Sequence, residues 1–360
     1  MLNPANVAKD EAADSKMPSS KSDLHESLPF NRTYFGLGIL GGLKVSPMCL
    51  GSRHLSTKSG EYDDIPLLNE GESRDILRAY MELGGNFVDT SVYAALSQRF
   101  IGGFIKEMNC REDLVVGTKA MGKYNPDEPN VSGCGRKSIN RALNRSLDRL
   151  KTDYVDLLWI DSWDKVTPAR ELMRTLNGLV NSGKVLHLGF ANMPSWYVAQ
   201  CHQLAVTLGY ETISVISADY NLCQREAELE YFDFCRQTGI SFMPTAPLAE
   251  GFLAGHQHYM KEEHDLARVE KQTHILHYLQ NLSKEINKPA SQIALSWALK
   301  RPTVSSVLMT PFSVNQMKSN VQALDIELTR EQLKELDYAS LPKSVVEMHK
   351  VSQLPSWWMQ

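Results

Sequence analysis

Apolar residues in this chain fall into short, nearly continuous runs, separated by longer stretches in which apolar positions recur every three or four residues. The runs VSPMCLG, NFVDT, DLVVGTK, YVDLLWI, VLHLGFA, ISVISADYN, GISFMPT and VSSVLMT predict eight strands. SRDILRAYMEL, SINRALNRSLDRL, ELMRTLNGLVNSG, SWYVAQCHQLAVTLG, EAELEYFDFCRQTG and SQIALSWALK predict amphipathic helices, several with Gly just past the last periodic position. Uninterrupted apolar strands belong to a sheet covered on both faces, and alternation with helices makes that sheet parallel. Eight such units predict an α/β fold, a closed (β/α)8 TIM barrel, with a doubly wound open sheet as the alternative.

The ends of the chain read differently. Residues 1–28 are polar and rich in Ser, Asp, Glu and Lys, the composition of a disordered leader. FNRTYFGLGILGGLKVSPM then sets two short apolar runs around GG, which predicts an N-terminal β-hairpin plugging the amino end of the barrel. The barrel is expected over 29–345, with C-terminal accessory helices and a loop, and a tail over 346–360. That tail ends in Trp357, Trp358 and Met359, which need a surface to pack on. The charged stretch HQHYMKEEHDLARVEKQTHILHYLQNLSKEIN interrupts the seventh unit and reads as a solvated lid.

Catalysis in such barrels sits at the carboxyl ends of the strands. Asp89, Lys119, Asp161, Asn192, Asn221, Thr245 and Thr310 close strands two to eight in that order. Any one of them reads equally well as a helix cap or loop hydrogen bond, but seven converge on one mouth. Tyr93, four residues beyond Asp89, adds a phenol. A phenol with an ordinary pKa of about 10 donates a proton at neutral pH only when a cation favours its anion. Lys119 is the candidate cation and Asp89 the group that holds it, a set suited to general acid catalysis.

Composition narrows the setting. The formal net charge of −4 comes from interleaved charges without a basic stripe, which argues against a nucleic-acid partner. No run is long and apolar enough for a membrane span, and the start lacks the apolar centre of a secretory signal, so a cytoplasmic monomer or homodimer acting on a small molecule is expected. Six cysteines without a CxxC pair read as reduced thiols. His256 and His258 lack a third ligand, and no metal is expected.

Taken in order, GLKVSPMCLGS, FVDTSVY, SLDRLKTDYVDLLWIDSWD, LVNSGKVLHLGFANMPSW, GISFMPTAPLAEGFLAG and MKSNVQALDIELT resemble the aldo-keto reductases, in particular the fungal aryl-alcohol dehydrogenases and norsolorinic acid reductases, over residues 35–340. The resemblance implies hydride transfer from NADPH to an aldehyde or ketone, with Tyr93 protonating the carbonyl oxygen. Asp89, Tyr93 and Lys119 match three members of the family's tetrad. The fourth is a histidine in the family and Asp161 here. An ionised Asp161 would raise the phenol's pKa; a protonated one could donate a hydrogen bond and suit enone reduction. A plain ion pair with Lys119 is the third option.

The resemblance also implies a cofactor site. Ala191 and Asn192 stand where serine and asparagine usually hold the nicotinamide carboxamide, Ser217 where glutamine is usual, and Thr245 where an aromatic ring stacks, with Leu248 in the loop beyond. Thr310, Phe312, Ser313 and Gln316 occupy the region of the basic 2′-phosphate grip, and Asn320 that of the adenine contact. Neutral groups give up the charge-assisted bonds of Arg or Lys, so NADPH affinity should be reduced, with NADH or no nucleotide as alternatives. Lys318 is a possible substitute cation. Tyr124, Trp163, Trp357 and Trp358 are candidates for a substrate wall that favours flat aromatic molecules, whereas Trp196 reads as core. The function implied is reduction of an aromatic or polyketide-like carbonyl or enone, in secondary metabolism. The alternatives are a redox-neutral dehydratase, isomerase or cyclase with a degenerate cofactor site, and a regulatory or scaffold barrel.

Overall fold

The computed structural model describes residues 34–38, 42–55, 68–121, 130–255 and 266–341. The leader 1–28, the tail 346–360 with Trp357 and Trp358, and also Tyr124, His256 and His258 lie outside the described residues. The predicted hairpin is present, β1 (Phe35–Gly36) pairing antiparallel with β2 (Lys44–Val45). The eight strands that follow are β3 (Met48–Gly51), β4 (Phe87–Ser91), β5 (Val115–Lys119), β6 (Val155–Asp161), β7 (Val185–Ala191), β8 (Ile213–Asp219), β9 (Ser241–Thr245) and β10 (Val307–Met309). Helices α1 (Glu70–Glu82), α2 (Ala95–Met108), α3 (Arg136–Leu150), α4 (Ala169–Asn181), α5 (Ser195–Leu208) and α6 (Asp233–Thr238) fill the successive intervals up to β9. Then α7 (Leu266–Ile286) and α8 (Ala290–Leu299) precede β10, and α9 (Val314–Val321) and α10 (Arg330–Ser340) follow it.

Each strand from β3 to β8 pairs in parallel with the next, and β10 returns to pair with β3. The seam between β9 and β10 is bridged by Phe242 N–H to the Thr303 carbonyl (2.8 Å) and Ser305 N–H to the Phe242 carbonyl (3.2 Å). A doubly wound sheet would reverse its strand order at a switch point. This order runs round once without reversal, so the sheet is a (β/α)8 barrel.

The strands are apolar at consecutive positions because both of their faces are buried. Phe87, Val115, Leu157, Trp159, Val215 and Met243 fill the barrel interior together with Leu37 and Val45 of the hairpin. Val88, Val116, Leu158, Ile160, Ile216 and Phe242, one step along, pack outward under the helices. Leu37 and Val45 thus stop the amino end of the barrel, as the hairpin pattern predicts. Gly38 lets the plug seat: its N–H bonds to Ser241 Oγ (2.7 Å), its φ is +78°, and a Cβ there would stand 3.0 Å from the Ser214 carbonyl oxygen.

One predicted helix differs in form. EAELEYFDFCRQTG begins as a π-helical turn at Glu228–Phe232 before running into α6. The wide turn starts where Glu228 is gripped by Arg225 from Nε (2.7 Å) and Nη2 (2.9 Å) and by the Tyr220 hydroxyl (2.6 Å). Arg225 is buried and also bonds to the Asp337 carbonyl (2.7 Å) and Ser340 Oγ (2.9 Å), which clamps α10 onto the loop after β8.

Candidate active site

The period of two that puts Phe87, Val115, Leu157, Val215 and Met243 inside also decides what lies above them. Two residues further toward the carboxyl ends, or four for β5 and β6, the same inward column carries Asp89, Lys119, Asp161, Ser217 and Thr245. The predicted mouth is therefore a consequence of strand parity. Asn192 lies one residue past β7, where parity would turn it outward, but it adopts a left-handed φ of 51°, which asparagine tolerates. Its Nδ2 donates to Asp161 Oδ1 at 2.9 Å.

Asp161 is the hub. Its other oxygen, Oδ2, lies 3.3 Å from Lys119 Nζ, with both side chains largely buried. Burial opposes the lysine's charge, but Asp89 and Asp161 outweigh it and raise the pKa of Lys119, with Asp219 adding to them. Three carboxylates thus surround one cation. The lysine's ion-pair contact among the described residues is with Asp161; Asp89 acts on it through space.

Asp89 is only 6% exposed. Burial first, and then Asp161, push its carboxyl up to about 6 against the opposing effect of Lys119. Tyr93 sits on a turn pinned from two sides: Val92 N–H bonds to the Lys119 carbonyl (3.1 Å), and Arg149 Nη1 bonds to the Val92 carbonyl (2.7 Å). The Tyr93 ring is 38% exposed and its hydroxyl makes no hydrogen bond to a described residue. Burial and, second, the Asp161 carboxylate push the phenol up to about 12. With the lysine's charge engaged by Asp161, the phenol moves away from acidity, as follows physically from an anion placed near it.

The residues assigned by resemblance to the cofactor are brought to the same end of the barrel, and several are already bonded within the protein. Ser217 Oγ donates to the Met243 carbonyl (2.8 Å), and Thr245 Oγ1 to Asp219 Oδ1 (2.7 Å). Asn192 keeps its carbonyl oxygen clear of the bond to Asp161. Leu248 lies within a loop in which Ala246, Ala249 and Glu250 all have φ between 45° and 55°, backbone strain of the kind found at ligand sites. At the start of α9, Ser313 caps the helix by accepting from Gln316 N–H, and Gln316 Oε1 folds back to accept from Phe312 N–H (2.7 Å). The Phe312 ring packs on His54 at 4.3 Å. Thr310 lies with its methyl against Gly51, where a Cβ would meet it at 2.6 Å. Lys318 is in the last turn of α9, and Asn320 is half-buried. The first turn of α9 carries no charged side chain.

Trp163 stands two residues beyond Asp161, its ring stacked on Tyr197 at 5.0 Å and edge-on to Trp196 at 4.9 Å. Trp196, expected in the core, is 55% exposed, so the loops after β6 and β7 present an aromatic surface beside the mouth. Asp164 holds that loop by accepting from Cys134 N–H (2.7 Å), Val166 N–H (3.0 Å) and Thr167 N–H (2.8 Å). Asn221, expected at the mouth, instead ties loops: its Oδ1 accepts from Cys223 N–H and its Nδ2 donates to the Ala246 carbonyl. Sequence reasoning missed Asp219 and Trp159. Inward parity was the signal for both, since each is two residues from a position already placed in the barrel.

The six cysteines are free thiols. Among the described residues no group of three His, Cys, Asp or Glu is arranged to hold a metal ion, and no helix is long and apolar enough to cross a membrane.

Residues 47–340 match the model of the aldo/keto reductase family. Among curated proteins, a norsolorinic acid reductase of Aspergillus flavus is 29% identical over 306 residues, covering 83% of this chain and 78% of the relative. An aryl-alcohol dehydrogenase of Pestalotiopsis microspora is 30% identical over 308 residues, covering 82% and 79%. An aryl-alcohol dehydrogenase [NADP(+)] of Phanerodontia chrysosporium is 27% identical over 319 residues, covering 82% and 83%.

Proposed function

This chain belongs to the aldo/keto reductase family and acts as an oxidoreductase on a carbonyl compound; we propose that the compound is an aromatic or polyketide-like aldehyde, ketone or enone, reduced with NADPH. The observation that carries the reading is the cluster at one mouth of a phenol, a lysine and a carboxylate, Tyr93, Lys119 and Asp161, with the lysine fixed at 3.3 Å from the carboxylate. The Tyr93 hydroxyl has no competing protein acceptor among the described residues and keeps its proton at neutral pH, so it is available to a substrate oxygen that gains negative charge. Lys119 then stabilises the phenolate left behind. Asp161 holds Lys119 and Asn192 in one geometry and shapes the oxygen site. When bound, the dinucleotide would supply the hydride, to the carbonyl carbon of an aldehyde or ketone or to the β-carbon of an enone.

Asn192, Ser217, Thr245 and Leu248 would hold its nicotinamide end, and Thr310, Phe312, Gln316 and Asn320 its adenosine end. The aromatic surface of Trp163 and Trp196 supports a flat substrate, as do the names of the relatives, norsolorinic acid reductase and aryl-alcohol dehydrogenase. We further propose a role in secondary metabolism and a cytoplasmic location.

A second reading, redox-neutral acid–base chemistry on the same barrel, is favoured by one finding. Ser217, Thr245 and Gln316 already have their polar groups engaged within the protein, and no cation stands in the first turn of α9. Calorimetric titration with NADPH and NADH separates the two. Micromolar binding, followed by turnover of aryl aldehydes, ketones or enones that Tyr93→Phe abolishes, supports the reductase. Binding of neither nucleotide refutes it and leaves the redox-neutral reading.

A further inference from the structure

One layer below the Lys119–Asp161 pair, inside the barrel, two buried polar atoms lack an aligned hydrogen bond: Oδ1 of Asp89 and the indole Nε1 of Trp159. Both lie against the same glycine. A Cβ built on Gly117 would stand 2.9 Å from the Asp89 oxygen and 3.1 Å from the Trp159 nitrogen. Gly117 is the register partner of Asp89 across β4 and β5. On the far side of β6, Gly189 is the register partner of Trp159, and a Cβ there would meet three carbons of the same indole at 2.5, 2.7 and 2.9 Å. The fully buried indole therefore lies across the inner wall from β7 toward β5, in a slot that exists because both flanking residues lack a side chain. Its single polar atom ends beside Asp89.

We propose that Trp159 is a positioning residue whose indole N–H donates to the Asp89 carboxylate, fixing that carboxylate beneath Lys119, with Gly117 and Gly189 as the slot that aims it. Left unmade, that hydrogen bond would strand a donor and an acceptor side by side in the interior, each bearing the desolvation cost of an unpaired polar group. The titratable groups facing Asp89 are Cys49 on β3, Lys119 on β5 and Asp161 on β6. Burial and Asp161 favour the protonated carboxyl, while Lys119 and the Trp159 N–H favour the ionised one. The inference rests on barrel geometry and holds whether the site runs redox or redox-neutral chemistry, so nucleotide binding and this test fail independently.

The test is an NMR pH titration of the full chain labelled with nitrogen-15 at its indoles. One indole resonance should follow pH with a midpoint at about 6. It should be the resonance missing from Trp159→Phe, and it should stop titrating in Asp89→Asn. If Trp159→Phe does not fold, Asp89→Asn alone identifies it. In the folded Trp159→Phe protein, the acid limb of the activity profile should move up by about one pH unit, the effect of losing one hydrogen bond to an ionised group. The proposal is overturned if no indole titrates in that range, if the titrating indole persists in Asp89→Asn, or if the acid limb stays in place.

Discussion

Replacing Asp89 with asparagine should make the protein more stable at neutral pH while disabling its chemistry. In the folded barrel the carboxyl is pushed from its ordinary 3.8 to about 6, chiefly by burial. Between about pH 4 and 6 the folded state therefore holds a proton that the unfolded chain has already lost. Stability falls as pH rises through that window, and the full cost is present above it. At about 1.4 kcal/mol for each pH unit, keeping Asp89 ionised at pH 7 costs about 3 kcal/mol. Asparagine is neutral and escapes this cost, although its amide brings donors that need partners, so the net gain should be about 1–2 kcal/mol. Below about pH 4 both folded and unfolded wild-type chains are protonated, and the advantage should vanish. Urea unfolding of both proteins at neutral and acid pH measures the difference directly. A variant less stable than wild type at neutral pH, or a difference that does not change with pH, would refute the reasoning. The expected result describes a carboxylate retained against stability because the site needs its charge.

Other consequences are testable in the same protein. Tyr93→Phe removes a hydroxyl bonded to no described residue, so unfolding free energy should change by less than about 0.5 kcal/mol while turnover drops about 10²–10⁴-fold; a parallel loss of stability would contradict this. Asp161→Asn takes away a carboxylate that raises the phenol, so the Tyr93 pKa should fall from about 12, and the alkaline limb of the activity profile should move to lower pH; an unmoved limb counts against Asp161 acting on Tyr93. Arg225→Met strips the part-buried Glu228 of its cation and breaks the bonds to the Asp337 carbonyl and Ser340, while Asp337 keeps Arg301; it should cost about 3–5 kcal/mol in urea unfolding, with a loss under about 1 kcal/mol arguing that the clamp on α10 is idle. Gly189→Ala drives a methyl into the Trp159 ring and should cost about 1–3 kcal/mol with altered near-ultraviolet dichroism; an unchanged spectrum would deny the slot.

Much of the architecture was legible because it depends on short-range order. A run such as DLVVGTK can bury both faces of a strand only inside a covered parallel sheet, and the polar residue that ends it must then emerge at the carboxyl end. The same reasoning reached Asp89, Lys119, Asp161 and Thr245 without any knowledge of their neighbours. It misjudged Trp196, because the first turn of a helix can face the core or the solvent and only the docking of α5 decides which. It also treated Asn221 as a mouth residue, although the polar group of a strand-end asparagine is equally suited to binding its own loop.

What the chain determined by itself was periodicity: the number of strands, the inward column of each, and the set of polar groups gathered at one end. What only the tertiary structure decided was which of those groups touch and what charge they carry. Whether Lys119 would pair with Asp89 or with Asp161 depends on the stagger of β5 against β4 and β6, which no local pattern encodes. The slot for Trp159 needs two glycines 72 positions apart to meet across one indole, and that distance closes only when the barrel does. The elevated carboxyl of Asp89 follows from the same closure, because a charge loses its water only after the rest of the wall has been built around it.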